Sequence, residues 1–185
     1  TRKATAVFLN EHTVPPKDIS KFGEDLEEYT PEGEQGWIPH LGPLDPQSNR
    51  ALAGVGVCHR PDTVFIPLTP LTLQFQAIYE MGRGMIYATS YDGINTVYAC
   101  VAYGQSGGSA GNAAADITDQ IMNALIIELQ RRPQGPIFLF CDLNADPGDI
   151  PTIKDLLDDK GWADLGELAY IWDGKPLEYT CVNHN

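Results

Sequence analysis

The sequence predicts an α/β protein in which two sheets of mixed strands form a sandwich flanked by helices. Strand–helix units stand near both ends of the chain, and a run of strand-like segments lies between them. This order favours mixed sheets over an all-parallel Rossmann arrangement. The 185 residues and the hydrophobic fraction of 43% suit a single domain with its own core. We therefore treat residues 1–185 as one domain.

The first half of the chain predicts one helix among several strands. Residues 4–10 are short and apolar, which is typical of a buried strand. A helix is expected from Lys17, because Pro16 stands near its start. The many Pro and Gly residues of 30–50 predict a loop. Three further strands are predicted, the last of them from its alternation of apolar and polar residues: 52–60, 63–68 and 71–79.

The second half of the chain contains the clearest pattern, a hairpin of residues 84–91 and 96–103 with Asp92 and Gly93 at its turn. The strongest helix follows at 113–132, where apolar residues repeat every four positions: Ile117, Ile121, Leu125 and Leu129. The remaining elements are a strand at 135–140, a helix from Pro151 to about Lys160 that Gly161 ends, and a last strand at 178–182.

Charge and cysteine content limit the classes of function. The chain has 12 basic and 25 acidic residues, a net charge of −13, which argues against a broad footprint on a phosphate backbone. No apolar run reaches about 18 residues, so no transmembrane helix is predicted. The four cysteines fit no zinc template. We expect buried free thiols in a reducing compartment, hence an intracellular protein of the nucleus or cytoplasm.

Polar residues follow three of the predicted strands at the point where each strand ends. Asp142 and Asn144 follow residues 137–140, Glu11 follows the first strand, and Tyr103 ends the hairpin. In an extended segment, residues two positions apart point the same way, so Asp142 and Asn144 would face one spot. A charged acceptor beside an amide donor suits a site for a phosphate and an attacking water.

Each of these residues also has a plain structural interpretation. Asp and Asn commonly terminate strands because they tolerate turns. Glu11 could be an exposed acid at a strand end, and strand tyrosines such as Tyr103 are common core residues. In the functional interpretation, Glu11 is a ligand of Mg²⁺ or Mn²⁺, since a hard cation takes one or two carboxylates together with water and phosphate oxygens.

The stretches "VFLNEH", "VAYGQSGG" and "LFCDLNADP" carry a resemblance to a known family. They resemble, in order, the strand ending in Gln-Glu, the Val-Tyr-Gly segment and the Gly-Asp-Leu-Asn of the endonuclease/exonuclease/phosphatase superfamily of metal-dependent phosphodiesterases. The long helix predicted at 113–132, between the second and third stretches, also agrees with the family pattern. From about residue 5 to 165 the chain is most similar to endonuclease domains of non-LTR retrotransposon-like reading frames, mainly through "DLNADPGDIPTIKDLL" and "GWADLG".

The resemblance implies a role for each matching residue. Glu11 corresponds to the metal-binding glutamate, Tyr103 to a tyrosine that contacts phosphate, and Asp142 to the aspartate that positions or deprotonates the water. Asn144 corresponds to the asparagine beside that aspartate. Two departures are visible at the motifs, because Asn stands at position 10 where the family has Gln, and Cys at 141 where it has Gly.

Two parts of the family pattern have no counterpart in these 185 residues. One is an earlier strand ending in Asn, and the other is an Asp-His pair on a final strand. His184 has no Asp directly before it, so we do not assign it that role. The chain is therefore interpreted as a fragment, a partial domain that is incomplete at both ends.

Three classes of function follow. The first is a Mg²⁺-dependent endonuclease that acts on DNA. The second applies the same chemistry to a small phosphodiester or phosphomonoester, such as a nucleotide or a lipid, and the acidic balance favours it. The third is a relic that keeps the fold without catalysis. We predict a metal-dependent phosphodiester hydrolase of the first class, an endonuclease that acts on DNA, with its oligomeric state open and no membrane partner.

Overall fold

The strands form two sheets that face each other. The structure, a computed structural model, describes residues 4–28, 30, 36–47, 53–90, 92–107, 113–159 and 161–168. Its elements in chain order are β1 (Ala6–Asn10), α1 (Ile19–Glu28), β2 (Ile38–Leu41), β3 (Val55–His59), β4 (Ile66–Pro67), α2 (Leu73–Glu80), β5 (Gly84–Thr89), β6 (Val97–Tyr103), α3 (Ala113–Gln130), β7 (Ile137–Asp142) and α4 (Pro151–Asp159).

The two sheets differ in their strand directions. The three-stranded sheet has the order β1-β3-β2, and both of its pairs are antiparallel. The four-stranded sheet has the order β4-β5-β6-β7, in which β6 and β7 are parallel and the other pairs are antiparallel. The predicted fold class, a two-sheet α/β sandwich with mixed strands and flanking helices, is confirmed.

Strand β6 is buried on both faces and separates two apolar clusters. Ala99, Val101 and Tyr103 face the three-stranded sheet, in a cluster that also contains Val55 and Val57 of β3. The alternate residues of β6 face the helices: Tyr98, Cys100 and Ala102. A strand covered on both sides needs apolar residues at nearly every position, which explains the unbroken run "VYACVAY". Tyr103 therefore enters the space between the sheets.

Most of the predicted elements are present. A short 3₁₀ turn at Pro16–Asp18 leads into α1, as expected from the proline near its start. The hairpin pairs β5 with β6, and Asp92 accepts two backbone hydrogen bonds in its turn. In α3, the predicted face is buried except at Ile117, which is 39% exposed. Gly161 follows α4 with φ +71°, as a helix-terminating glycine should.

The strand predicted at 71–79 is wrong, because Leu73–Glu80 form α2. Its start is fixed by Thr72, whose hydroxyl accepts a hydrogen bond from the backbone N–H of Phe75 at 3.2 Å. The carboxylate of Glu128, on α3, accepts from the N–H groups of Leu71 and Thr72 at 2.8 and 2.9 Å. These tertiary hydrogen bonds satisfy N–H donors at the start of α2. The helix therefore forms in spite of the alternating apolar and polar residues that predicted a strand.

Three other predictions differ from the structure or fall outside it. The loop predicted at 30–50 contains β2, which pairs with β3 at the edge of its sheet, where Pro39 is tolerated. Of the strand predicted at 63–68, only Ile66 and Pro67 pair, again at an edge. The strand predicted at 178–182 and His184 lie outside the described residues.

The cysteines in the described ranges behave as predicted. Cys58, Cys100 and Cys141 are free thiols, the first two of them buried. Burial raises the pKa of Cys58 and of Cys141 to about 11. Cys141 packs against the core on the helix side of β7, the position where the family pattern has Gly. Within the described part of the chain, no helix is both long and apolar enough to cross a membrane.

Candidate functional site

Two of the predicted residues lie side by side at the ends of parallel strands. Tyr103 ends β6 and Asp142 ends β7, and the register pairs one with the other. In-register neighbours of a parallel pair point to the same face, so Asp142 shares the face of Tyr103 toward the three-stranded sheet. Phe140, two residues earlier on that face, stacks on Phe8 of β1 with ring centroids 3.8 Å apart. Strand β1 therefore packs against β7 across the space between the two sheets.

Glu11 joins this pair from the other sheet. It follows β1 directly, and the hydroxyl of Tyr103 donates a hydrogen bond to its Oε2 at 2.7 Å. The backbone at Glu11 is left-handed, with φ +61°, and the N–H of the next residue, His12, donates to the carbonyl of Gly54 at 2.9 Å. A left-handed glutamate is uncommon, and such strain occurs at functional sites.

Asn144 reaches the same place by a turn that the sequence did not reveal. Its φ is +51°, so the extended geometry predicted for 142–144 is wrong. Its N–H donates to Oδ1 of Asp142 at 3.0 Å, and its side-chain amide donates to the carbonyl of Gly104 at 3.2 Å. The side chain also lies near the Tyr103 hydroxyl, where it has a small lowering effect on the pKa of the phenol. Asn144 is therefore a turn residue, as its structural interpretation predicts. The same turn brings its amide near Tyr103, as its functional interpretation requires.

Gly104 holds the ends of β6 and β7 together. Its N–H donates to the carbonyl of Asp142 at 2.7 Å, and its own carbonyl accepts from Arg83 at 2.9 Å as well as from Asn144. A Cβ at this position would lie 2.3 Å from the carbonyl oxygen of Leu143, so only glycine fits. The glycine after the tyrosine is thus a requirement of close backbone approach.

Two residues near Tyr103 were missed in the sequence. Ser106 Oγ lies 3.3 Å from the Tyr103 hydroxyl, and the guanidinium of Arg83 lies over the ring, with Cζ 5.0 Å from the ring centroid. Arg83 could have been found by following the predicted hairpin back from its turn, because its carbonyl accepts from the N–H of Tyr103 at 2.9 Å. Ser106 carried no such signal within its Gly-rich loop.

The electrostatics of the site favour a protonated tyrosine and an oxygen-ligated cation. Burial, and to a smaller extent the hydrogen bond to Glu11, raise the pKa of Tyr103, so its hydroxyl remains a donor at neutral pH. That bond uses one carboxylate oxygen of Glu11. In the neighbouring residue, Asn10 Oδ1 is buried without a hydrogen-bond partner. Carboxylate and amide oxygens are ligands that suit Mg²⁺.

The described residues do not form a closed zinc centre. Among the residues that the structure describes, no group of three or more His, Cys, Asp or Glu side chains is placed to hold a metal. A closed zinc centre needs such a group. Mg²⁺ keeps several waters and binds through one or two carboxylates together with substrate oxygens. The residues present therefore fit a hydrated hard cation held mainly by Glu11.

His12, beside Glu11, gives the fold a dependence on pH. Its Nδ1 accepts the N–H of Val14 at 3.0 Å, so its Nε2 carries the proton and faces the carbonyl of Gly42 at 3.2 Å. Burial lowers the pKa of His12 below 6.5, the ordinary value that applies in the unfolded chain. The unfolded chain then binds more protons below about pH 6.5, so the folded state loses stability as the pH falls through that window.

We therefore expect the melting temperature to fall between about pH 7.5 and about pH 5.5, a range in which histidines titrate. His12→Asn should flatten this profile, because its side-chain oxygen can still accept the Val14 N–H and cannot be protonated there. His40 contributes in the same direction, since burial first and the nearby His59 second lower its pKa. An unchanged profile in His12→Asn would show that His12 is not the group responsible.

No protein-family model matches the sequence, and no curated protein matches it. Among solved structures, the chain is similar to the catalytic domain of human nocturnin, solved with a bound sulfate anion. The TM-score is 0.55 and the identity 14%, over 84% of this chain and 56% of that one. It is also similar to TDP2 of D. rerio humanised by 14 mutations, with a TM-score of 0.51 and 13% identity, over 80% and 52% of the two chains.

These comparisons support the fold. Both neighbours belong to the endonuclease/exonuclease/phosphatase superfamily, which is the family that the motifs resemble. The chain spans about half the length of these neighbours. The closer likeness to retrotransposon-type endonucleases, and the interpretation of residues 1–185 as a partial domain, stay predictions.

Proposed function

We propose that this chain carries the site of a metal-dependent phosphodiester hydrolase. The observation that carries the proposal is the 2.7 Å hydrogen bond from Tyr103 to Glu11, which joins the two sheets beside Asp142 and Asn144. Residues far apart in sequence thus supply a carboxylate for a cation, a second carboxylate, a phenol and an amide at one end of the sandwich. This set suits hydrolysis of a phosphate ester.

Each side chain has a distinct role in the proposed reaction. Glu11 would hold Mg²⁺ or Mn²⁺ through its carboxylate, while Tyr103 fixes its orientation. A bound cation supplies charge neutralisation on the phosphate and on the leaving oxygen. Asp142 is exposed, so its carboxylate can accept a hydrogen bond from a water and align it for attack. The second N–H of the Asn144 amide is a donor for a phosphate oxygen, since the first is used by the carbonyl of Gly104. The Tyr103 hydroxyl has one proton, so it would contact a phosphate oxygen as a donor only by exchanging its hydrogen bond to Glu11.

The exposure of the site favours DNA as the substrate. Glu11 and Asp142 are both exposed, so a polymer can lie across them without entering an enclosed pocket. Small-molecule sites, in contrast, usually bury most of their ligand. The net charge of −13 supports a second candidate, a small phosphodiester such as a nucleotide, which needs no extended basic surface. The third candidate is a relic without catalysis.

Metal binding can be tested by thermal unfolding. We expect Mg²⁺ or Mn²⁺ to raise the melting temperature and EDTA to reverse the rise, because a ligand of the folded state alone stabilises that state. The gain is about 2.7 kcal/mol at a hundredfold excess over the dissociation constant. Glu11→Gln should abolish the shift, since it removes the ligand charge at nearly constant shape.

Glu24→Gln is the matched control, because Glu24 is an exposed acid of α1 and the substitution makes the same change in charge. It should leave the metal-induced shift intact. A shift that persists in Glu11→Gln would rule out Glu11 as the ligand. A shift that both variants lose would point to diffuse attraction by the acidic surface.

A further inference from the structure

A buried arginine supports the aromatic ring at the centre of the site. Arg83 is 8% exposed and directly precedes β5. Its Nη1 donates to the carbonyl of Gly104 at 2.9 Å, and its Nη2 donates to Oε1 of Gln105 at 3.3 Å. The same guanidinium lies over the ring of Tyr103, at 5.0 Å from the centroid. Three consecutive residues, 103 to 105, are therefore held by one side chain.

Within the described ranges, the charge of Arg83 has no direct counter-ion, whereas Arg132 pairs with Glu128. Its contacts are neutral groups, and its Nε is buried without a hydrogen-bond partner. A buried cation is costly unless nearby groups stabilise it. The ring under Arg83 is that of Tyr103, whose hydroxyl donates to the carboxylate of Glu11, so Tyr103 lies between a cation and a carboxylate.

The position of Arg83 on one side of Tyr103 and of Glu11 on the other affects the strength of the Tyr103 hydroxyl as a hydrogen-bond donor. A cation on the face of an aromatic ring is attracted by the ring electrons, and it stabilises negative charge on the phenol oxygen. The Tyr103 hydroxyl is thereby a stronger donor toward Glu11 than an isolated tyrosine would be. Because Arg83 also donates to the carbonyl of Gly104, the guanidinium itself is fixed in place over the ring, and rotation of the ring away from it would lose the cation–π contact.

We propose that Arg83 is a positioning residue of the site: its guanidinium fixes the Tyr103 ring and the Gly104 carbonyl, and so sets the orientation in which Tyr103 presents its hydroxyl to Glu11. The burial of Arg83 and the use of two of its nitrogens favour this role over contact with a substrate. The effect on Tyr103 stands on these contacts alone, whereas the effect on metal binding rests on the proposed function.

The direct test is the environment of the Tyr103 ring. The protein is labelled with fluorotyrosine and followed by ¹⁹F NMR at neutral pH. Tyr103→Phe identifies the Tyr103 signal among the eight tyrosines. Arg83→Met keeps a side chain of comparable reach without charge. We expect it to change the chemical shift of the Tyr103 signal and its line width, because the ring loses the cation on its face and the contact that fixes its orientation.

Arg60→Met is the matched control, because Arg60 lies over the ring of Trp37 at 4.6 Å, in a second cation–π pair that does not involve Tyr103. It should leave the Tyr103 signal unchanged. Arg83→Lys keeps the charge but lacks the planar fork that serves two acceptors, so it should give a smaller shift in the same direction. If Arg83→Met does not fold, the proposal is tested by comparing the Tyr103 signal of Arg83→Lys with that of the wild type.

Metal titration by thermal shift gives the second readout. We expect Arg83→Met to weaken Mg²⁺ binding by about tenfold or more, the range found when a group that orients a metal ligand is removed. An unchanged Tyr103 signal in the Arg83 variants would overturn the proposal. A changed Tyr103 signal in a protein whose wild type shows no response to Mg²⁺ would overturn the proposed function and leave the positioning of Tyr103 supported.

Discussion

Asp142→Asn should lower metal-dependent phosphodiester hydrolysis by about 10²–10⁴-fold, the range typical for loss of one general acid–base group. The substitution removes the charge that aligns or deprotonates the attacking water. It should spare the fold, because the side-chain oxygen of Asn can still accept the N–H of Asn144, as Asp142 does at 3.0 Å. The loss should therefore appear in the rate and not in the melting temperature.

The measurement is made on the 185-residue chain and on a polypeptide extended through the flanking coding sequence, because the family resemblance predicts that residues 1–185 are a partial domain. The 185-residue chain spans about half of the neighbouring structures, and two parts of the family pattern have no counterpart in it. We expect the short chain to nick supercoiled plasmid poorly and the extended chain to nick it in the presence of Mg²⁺. Cleavage of a chromogenic phosphodiester in parallel separates the DNA candidate from the small-molecule candidate.

Asp146→Asn is the control for this experiment. Asp146 lies four residues further along the same loop and caps a short 3₁₀ turn by accepting the N–H of Gly148 at 2.9 Å. Asn is an equally good cap, so this variant should keep full activity. If an extended chain that supplies an Asp-His pair hydrolyses neither DNA nor a small phosphodiester, the relic interpretation replaces the hydrolase.

Glu128→Gln should destabilise the fold by about 3–5 kcal/mol, the cost of breaking one partner of a buried ion pair. Glu128 is fully buried, and its carboxylate accepts from Leu71 N, Thr72 N and the Thr72 hydroxyl at 2.8–2.9 Å, as well as from Arg132. An amide would turn its NH₂ toward one of these donors. The start of α2 and the Arg132 guanidinium would then lose their common acceptor.

Urea unfolding measures this loss, with Asp155→Asn as the control, since Asp155 is an exposed acid of α4. The control should change the free energy of unfolding by less than about 0.5 kcal/mol, as is usual for surface substitutions. A comparably small change in Glu128→Gln would mean that Arg132 and the two N–H groups find other acceptors. Since whole domains have only about 5–15 kcal/mol of stability, the expected loss is large.

The parts of the site that the sequence predicted are those with a local signature. Glu11, Tyr103 and Asp142 each follow an apolar run, and the ends of such runs meet at one edge of a sandwich. The hairpin was equally local, because Asp92 and Gly93 mark its turn. Where neighbouring residues determine the structure, pattern and propensity agree with it.

The remaining features depend on contacts between distant residues. Helix α2 begins where it does because Glu128, 56 positions after Thr72, accepts its N–H. Arg83 has no distinguishing neighbours in sequence, and only the register of the hairpin brings it to Tyr103. The left-handed turn at Asn144 likewise follows from the approach of Gly104. The start of α2 and the turn at Asn144 require the fold before they can be predicted, whereas Arg83 requires only the register of the hairpin.

The left-handed backbone at Glu11 sets a direction for the evolution of related sequences. An L-residue in this conformation costs about 1–2 kcal/mol relative to the right-handed region, and glycine does not incur that cost. Lineages that keep only the fold should therefore drift toward glycine at position 11, because folding alone gives the acid no advantage. Lineages that still hydrolyse phosphodiesters should retain glutamate there in spite of the strain. Under the proposed function, the residue at position 11 should therefore distinguish related sequences that keep the catalytic site from those that keep only the fold.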